Sequence, residues 1–347
     1  MSSALFLVQT PLHVQNACEA IPVFGITQSV FFIVHSKNNE KWLAQINELL
    51  PENVNTLLCE RDDHDIEGCI KEYSERISHL KTYDFDFVFL GDARLYIFVD
   101  CVNALANKNT FLMDDGALTI TTMHSLKTHG VYYPLGKSTN IERTEQIEKV
   151  KRKYGLWDMK HTPYNLFTIF DFPSSQAIRV VKNPLQSIRY THTNTDPQSV
   201  LFLGQPLGNG RFCSNDMYNR LMERIVNYYS DKRFLYLPHP RETEEQVAQL
   251  KGFKNLCVIE TSMPVEHFVM TLDSVPHTIS GFFSTALWNI AKFQTGLHVE
   301  AFRIDSSNYD DAVLQRKSRN GFLSDFDANE LCYEHFALRL KVIEGIV

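Results

Sequence analysis

Phe85-Asp86-Phe87-Val88-Phe89-Leu90, an amphipathic segment over 94–106, and then Thr110-Phe111-Leu112-Met113-Asp114-Asp115-Gly116 decide the fold class. Two short apolar runs separated by a helical pattern read as parallel strands joined by a crossover helix. The rhythm extends both ways. Toward the amino terminus it predicts strands over 4–9, 29–34 and 54–59 and helices over 12–20, 39–49 and 64–80. Beyond Gly116 come a loop containing Tyr132, Tyr133 and Pro134 and a charged helix over 142–154. A polar, turn-rich stretch over 183–198 carries Pro184 and Pro197. A second series then predicts strands over 199–204, 233–237, 256–260, 277–281 and 297–300 and helices over 214–229, 243–251, 264–271 and 284–292, with a last helical pattern over 328–345. The expected fold is α/β: two Rossmann-like domains facing a cleft, residues 1–185 and 199–347, joined by a linker over 186–198.

Composition bounds the partners. A chain of 347 residues accommodates two domains, each large enough to bury its own core. Lys+Arg 34 against Asp+Glu 41 leaves a net charge of -7, which argues against a nucleic acid partner. The opening residues lack a charged leader and break at Pro11, so they read as a first strand, and no apolar run approaches the ~20 residues of a membrane span. The expected location is the cytoplasm, with peripheral association at the inner face of a membrane left open, as is the oligomeric state. The seven cysteines are dispersed without close pairs, which argues against a disulfide framework and a structural zinc site.

Chemistry-bearing residues gather at predicted strand ends, where an open α/β sheet binds ligands. Asp114 and Asp115 end a buried-looking strand, and Gly116 permits a sharp turn. Adjacent carboxylates oppose each other's ionisation, which suits a proton acceptor, while an Asx-type turn at a strand end is the alternative. His239 lies between Pro238 and Pro240, which stiffen its backbone, and Arg241 either adds to an anion site or pairs with the acidic residues after it. Ser284 and Thr285 open a helix, serving either as an oxyanion site or as a plain N-cap. Gly204 and Gln205 end the first strand of the second series and line the same edge. The glycines there do not form a Gly-x-Gly-x-x-Gly fingerprint, which makes an NAD reading poor. Gln9, Thr10 and His13, at the first strand end of the amino-terminal series, are candidates for touching a sugar or acceptor, with His13 equally a helix-start residue.

The ordered set Asp114-Asp115-Gly116, His239-Pro240 and Ser284-Thr285 resembles the Asp/Glu-Asp/Glu-Gly, His-Pro and Ser/Ser-Thr motifs of the bacterial sialyltransferases. Leu5-Phe6-Leu7-Val8-Gln9-Thr10-Pro11-Leu12-His13 and Ser199-Val200-Leu201-Phe202-Leu203-Gly204-Gln205-Pro206-Leu207 are most similar to the capsule and lipooligosaccharide sialyltransferase or polysialyltransferase families. The resemblance implies a glycosyltransferase B architecture and an inverting, metal-independent transfer of sialic acid from CMP-sialic acid to a glycan hydroxyl, with no cofactor beyond that donor. It makes Asp115 the general base and places His239 on the donor phosphate. Met263-Pro264-Val265-Glu266 resembles the nucleotide-recognising segment, with Glu266 on the ribose, although a Glu in a first helical turn is also favoured by the helix dipole.

Asp84-Phe85-Asp86 fits a metal-binding pattern but begins a strand, the wrong end for a ligand, so no metal is expected. Lys149, Lys151, Arg152, Lys153 and Lys160 form a basic cluster that suits an anionic surface or, with the preceding glutamates, an ordinary solvated helix. The alternatives are another CMP-nonulosonic acid, CMP-Kdo or a nucleotide-diphosphate sugar as donor, a nucleotide-sugar epimerase, and a glycan-binding protein that keeps the fold. With the base in one domain and the donor in the other, catalysis is expected to require closure.

Overall fold

The computed structural model describes residues 2–36, 40–62, 64–130, 141–156, 163–176, 178–317 and 322–347. The predicted loop at Tyr132-Tyr133-Pro134 and Lys160 lie outside them. The chain divides into two compact units, Met1–Thr119 with Val131–Leu185, and Ile120–Gly130 with Gln186–Val347.

The first unit runs β1 (Ser2–Val8), α1 (Pro11–Phe24), β2 (Ile26–Ser36), α2 (Glu40–Leu49), β3 (Asn55–Arg61), α3 (Ile66–Leu80), β4 (Phe87–Leu90), α4 (Tyr96–Leu105) and β5 (Thr110–Met113). After α5 (Leu118–His129), it resumes with α6 (Ile141–Lys153), β6 (Asn165–Thr168) and β7 (Val180–Lys182). Its sheet has the order β3-β2-β1-β4-β5-β6-β7, with every pairing parallel.

The second unit carries β8 (Tyr190–Thr191), β9 (Thr195–Leu203), α7 (Asn215–Tyr228), β10 (Arg233–Leu237), α8 (Glu244–Leu250), β11 (Leu256–Val258), α9 (Val265–Met270) and β12 (Val275–Gly281). It ends with α10 (Thr285–Phe293), β13 (Gln294–Thr295), β14 (His298–Phe302), α11 (Asp311–Gln315), α12 (Asp325–Phe336) and β15 (Lys341–Ile343). The main sheet, β11-β10-β9-β12-β14-β15, is again all parallel and repeats the doubly wound order of the first. In each sheet the strand order reverses beside the first strand, between β1 and β4 and between β9 and β12. The crevice outside the carboxyl ends of those strands is where such folds bind ligands.

The strands are apolar runs because helices cover both faces. In the first unit Phe6, Phe31, Phe89 and Phe111 stack along the sheet with centroids 4.9–5.4 Å apart, and Phe24 of α1 meets Phe89 and Phe111 edge-on at 5.1 and 4.9 Å. Phe89 is fully buried at the centre of this stack. Phe89→Ala should therefore lower unfolding free energy by about 3–5 kcal/mol in urea denaturation. A loss below about 1 kcal/mol would show that the stack does not organise the core.

Several expectations need correction. The 186–198 stretch is built into the second unit: β8 pairs with β13, buried His192 bonds Gln294 at 2.8 Å, and β9 already begins at Thr195. Helix α5, unforeseen, groups mostly with the second unit, where His129 stacks on Phe322 at 4.2 Å. The predicted helix over 328–345 ends at Phe336, because Lys341–Ile343 extends the sheet beside β14. As expected, most cysteines are buried and none is in a disulfide: Cys59, Cys69, Cys101, Cys213 and Cys332 are buried thiols. Two described members of the basic cluster are ion-paired: Lys151 bonds Asp100 at 2.6 Å and Lys153 pairs with Glu67. Among the described residues no helix is long and apolar enough to cross a membrane.

Candidate active site

The first constellation forms where β1, β4 and β5 end. Thr10 is extended and caps α1, its Oγ1 accepting from the His13 amide at 3.3 Å. That cap starts the helix with His13 turned inward, 1 % exposed. The Gln9 amide donates to His13 Nδ1 at 3.2 Å, so the neutral ring carries its proton on Nε2. Nε2 lies 3.3 Å from Asp115 Oδ1 and donates to it. Gly91, at the end of β4, makes room for the ring; a Cβ there would collide with it.

Asp115 is gripped from its other side by Arg94, whose guanidinium donates to Oδ2 at 2.7 Å. Arg94 is itself held by Asp92 through two bonds of 2.8 Å. Gly116 has the expected positive φ, 62°, and the Asp115 amide donates to Thr119 Oγ1 at 3.0 Å. Asp115 thus stands partly exposed, 26 %, with its carboxylate oriented from two directions.

Asp114 faces the other way. Its carboxylate accepts from Thr168 Oγ1 at 2.6 Å and the Ile169 amide at 2.7 Å, and it is 2 % exposed. It ties the end of β5 to the end of β6, so the expected sugar contact at Asp114 and the opposed carboxylate pair are both corrected: just beyond β5 the Asp114 carboxylate is buried on its two donors while that of Asp115 meets Arg94 and His13. His13, equally buried, meets Asp115, and the Thr10 hydroxyl caps α1.

The second constellation forms where β9, β10 and β12 end. His239 to Glu242 make a turn closed three times. The Glu242 amide donates to the His239 carbonyl at 2.9 Å, the His239 amide to Glu242 Oε2 at 2.6 Å, and the Arg241 amide to His239 Nδ1 at 3.0 Å. The last bond makes Nε2 the protonated nitrogen of the neutral ring. Burial, then the nearby charges of Arg241 and Arg211, lower the His239 pKa to about 4. The imidazole is therefore neutral at pH 7, an N–H donor beside two guanidinium groups.

Gly204 lies against this turn; a Cβ on it would strike Glu242 and Tyr236. Gln205, 8 % exposed, accepts from the Phe283 amide at 2.9 Å. It braces the loop entering α10. Ser284 caps α10 with extended backbone, φ -73° and ψ 131°, yet its side chain makes no capping bond. The plain N-cap reading of that hydroxyl is overturned, and the first amides of the helix are left uncapped by Ser284. Glu266 follows Pro264 in the first turn of α9, and Asn289 of α10 donates to its Oε1 at 2.7 Å. Thr285 is the first residue of α10 and Pro240 holds the His239 turn. Asp86 of the Asp84-Phe85-Asp86 pattern bonds Ser3 at the opposite edge of its sheet.

Asp92, Arg94, Arg211, Tyr218, Tyr236 and Glu242 were missed. Gly91-Asp92-Ala93-Arg94 follows a predicted strand beside the switch point, a signal that strand-end logic makes usable. Nothing in the sequence singles out two tyrosines on separate elements.

Nothing matches this chain among curated proteins. Its fold is similar to a UDP-N-acetylglucosamine 2-epimerase from Listeria monocytogenes, described as putative, at 12% identity and TM-score 0.53, covering 97% of this chain and 87% of that one. A UDP-GlcNAc 2-epimerase from Methanocaldococcus jannaschii aligns at 14% identity and TM-score 0.49 over 98% and 93% of the two chains. MurG from Acinetobacter baumannii aligns at 10% and 0.49 over 99% and 86%. At 12% identity the first of these speaks to fold alone, two Rossmann-like α/β units. The sequence comparison is the informative one: residues 3–299, which contain all three motifs, match the alpha-2,8-polysialyltransferase family, and the chain belongs to that family of glycosyltransferases.

Proposed function

We propose that the protein transfers sialic acid from CMP-sialic acid to a hydroxyl of a glycan acceptor, with inversion and without a metal ion, in the assembly of a bacterial surface polysaccharide or lipooligosaccharide. The carrying observation is the second constellation: a neutral His239 N–H, the charges of Arg211 and Arg241, and the start of α10, which the Ser284 hydroxyl does not cap, at neighbouring strand ends. That set matches a leaving group with one phosphate. In the reaction the acceptor oxygen attacks the anomeric carbon as its proton passes to Asp115, and the bond from that carbon to the phosphate oxygen breaks. The departing phosphate accepts from His239 Nε2 and the α10 amides, a preorganised site for the charge that develops. Glu266, steadied by Asn289, takes the ribose hydroxyls.

Ligand-dependent melting tests the donor. At about 100 times its Kd, CMP should add about 2.7 kcal/mol of stability, with UDP adding much less. A larger shift with UDP would sink the CMP donor. Turnover of CMP-sialic acid with a glycan acceptor should persist in excess chelator, whereas abolition that returns with added magnesium would overturn the metal-independent step.

A further inference from the structure

The His239 turn rests on a carboxylate that the proposed reaction does not use. Glu242 Oε1 accepts from Tyr236 Oη at 2.5 Å and more weakly from Tyr218 Oη at 3.4 Å, and the two hydroxyls are 2.8 Å apart. Both rings are almost wholly buried, Tyr218 from α7 and Tyr236 from β10. The other oxygen, Oε2, takes the His239 amide at 2.6 Å. Gly204 leaves the space that the carboxylate and the Tyr236 ring occupy. Three elements thus converge on one side chain directly beneath the histidine.

We propose that Glu242 is a positioning residue, closing the His239–Glu242 turn so that the Arg241 amide meets His239 Nδ1 and the imidazole presents Nε2–H. This rests on the reading of His239 as partner of the donor phosphate. Without the Glu242 acceptor, the His239 amide loses its partner inside the turn, and of the bonds that hold the Arg241 amide at the ring only the backbone closure from the Glu242 amide to the His239 carbonyl remains beside it. Burial pushes the Glu242 carboxyl up to about 7, against the opposing effect of its bonds to Tyr236, the His239 amide and Tyr218. A carboxyl kept where its charge is disfavoured is more in keeping with a functional site than with core packing. The groups facing it are the Tyr218 and Tyr236 hydroxyls and the His239 amide, while the charges of Arg241 and Arg211 act on the His239 ring.

The test uses the full chain and three variants, Glu242→Ala, Glu242→Gln and Tyr236→Phe. Nitrogen NMR of the ligand-free protein at pH 7 should find His239 wholly as the Nε2–H tautomer, and Glu242→Ala should mix the two tautomers. In steady-state transfer from CMP-sialic acid, Glu242→Ala should lower kcat about 10-fold or more with the acceptor KM unchanged. Glu242→Gln, whose amide oxygen still accepts from the His239 amide, should recover to within about 3-fold. Placed on His239→Ala, Glu242→Ala should add less than about 2-fold, because residues acting through one group are not additive. A single unchanged tautomer in folded Glu242→Ala overturns the proposal whatever the donor proves to be, as does full multiplication with His239→Ala. If Glu242→Ala does not fold, Tyr236→Phe serves: mixed tautomers support the proposal, and an unaltered tautomer with unaltered kcat overturns it. Normal turnover in His239→Ala would instead strike the reading of His239 itself.

Discussion

Asp115→Asn should lower turnover by about 100-fold or more while the protein stays folded. The amide cannot take the acceptor proton, and it also breaks the donor pattern around it. Asp115 accepts from both Arg94 and His13 Nε2, so an amide nitrogen turned toward either would oppose a donor to a donor. The fold should tolerate the change because the side chain is 26 % exposed and Arg94 keeps its two bonds to Asp92. Rapid-quench measurement of transfer from CMP-sialic acid would separate the chemical step from binding, and CMP affinity should be unchanged, since the CMP-binding residues proposed here lie in the other unit. A folded Asp115→Asn protein with near-normal single-turnover rate would remove Asp115 as the base.

His239→Ala should cost about 100-fold or more in turnover and, unlike Asp115→Asn, should weaken CMP binding as well. The reason is electrostatic as much as geometric. In the free protein burial, Arg241 and Arg211 hold the histidine pKa down at about 4, so it enters the reaction as a neutral donor. A bound phosphate supplies the negative charge that this cationic surrounding lacks, which favours the protonated ring. The titration midpoint of His239, followed by NMR, should therefore move upward on saturation with CMP. The sign follows from linkage: a pKa higher in the complex means proton uptake on binding between about pH 4 and the new midpoint. A midpoint unmoved by saturating CMP, together with unimpaired binding in His239→Ala, would place the phosphate elsewhere.

The amino-acid sequence by itself determined the α/β class and the ends of the central strands β1, β4, β5, β9, β10 and β12, while β6, β7 and β15 went unpredicted. Apolar runs such as Thr110-Phe111-Leu112-Met113 and Phe234-Leu235-Tyr236-Leu237 are buried from both faces, so their boundaries coincide with a change to polar chemistry that needs no coordinates to see. Asp115, His239 and Ser284 were legible for that reason. Periodicity could not decide pairings made at a distance. The 186–198 stretch looked like a linker because its residues are polar, yet His192 and Gln294 satisfy each other inside the second unit. Lys341–Ile343 became a strand only because the edge of β14 was there to receive it. The roles of side chains within the motifs were likewise a tertiary matter. Adjacent Asp114 and Asp115 share a motif but point apart, one closing on Thr168 and Ile169, the other on Arg94 and His13. Glu242 became significant only when α7 and β10 brought two buried hydroxyls to it, because a hydrogen bond depends on distances of a few ångströms that sequence separation does not encode.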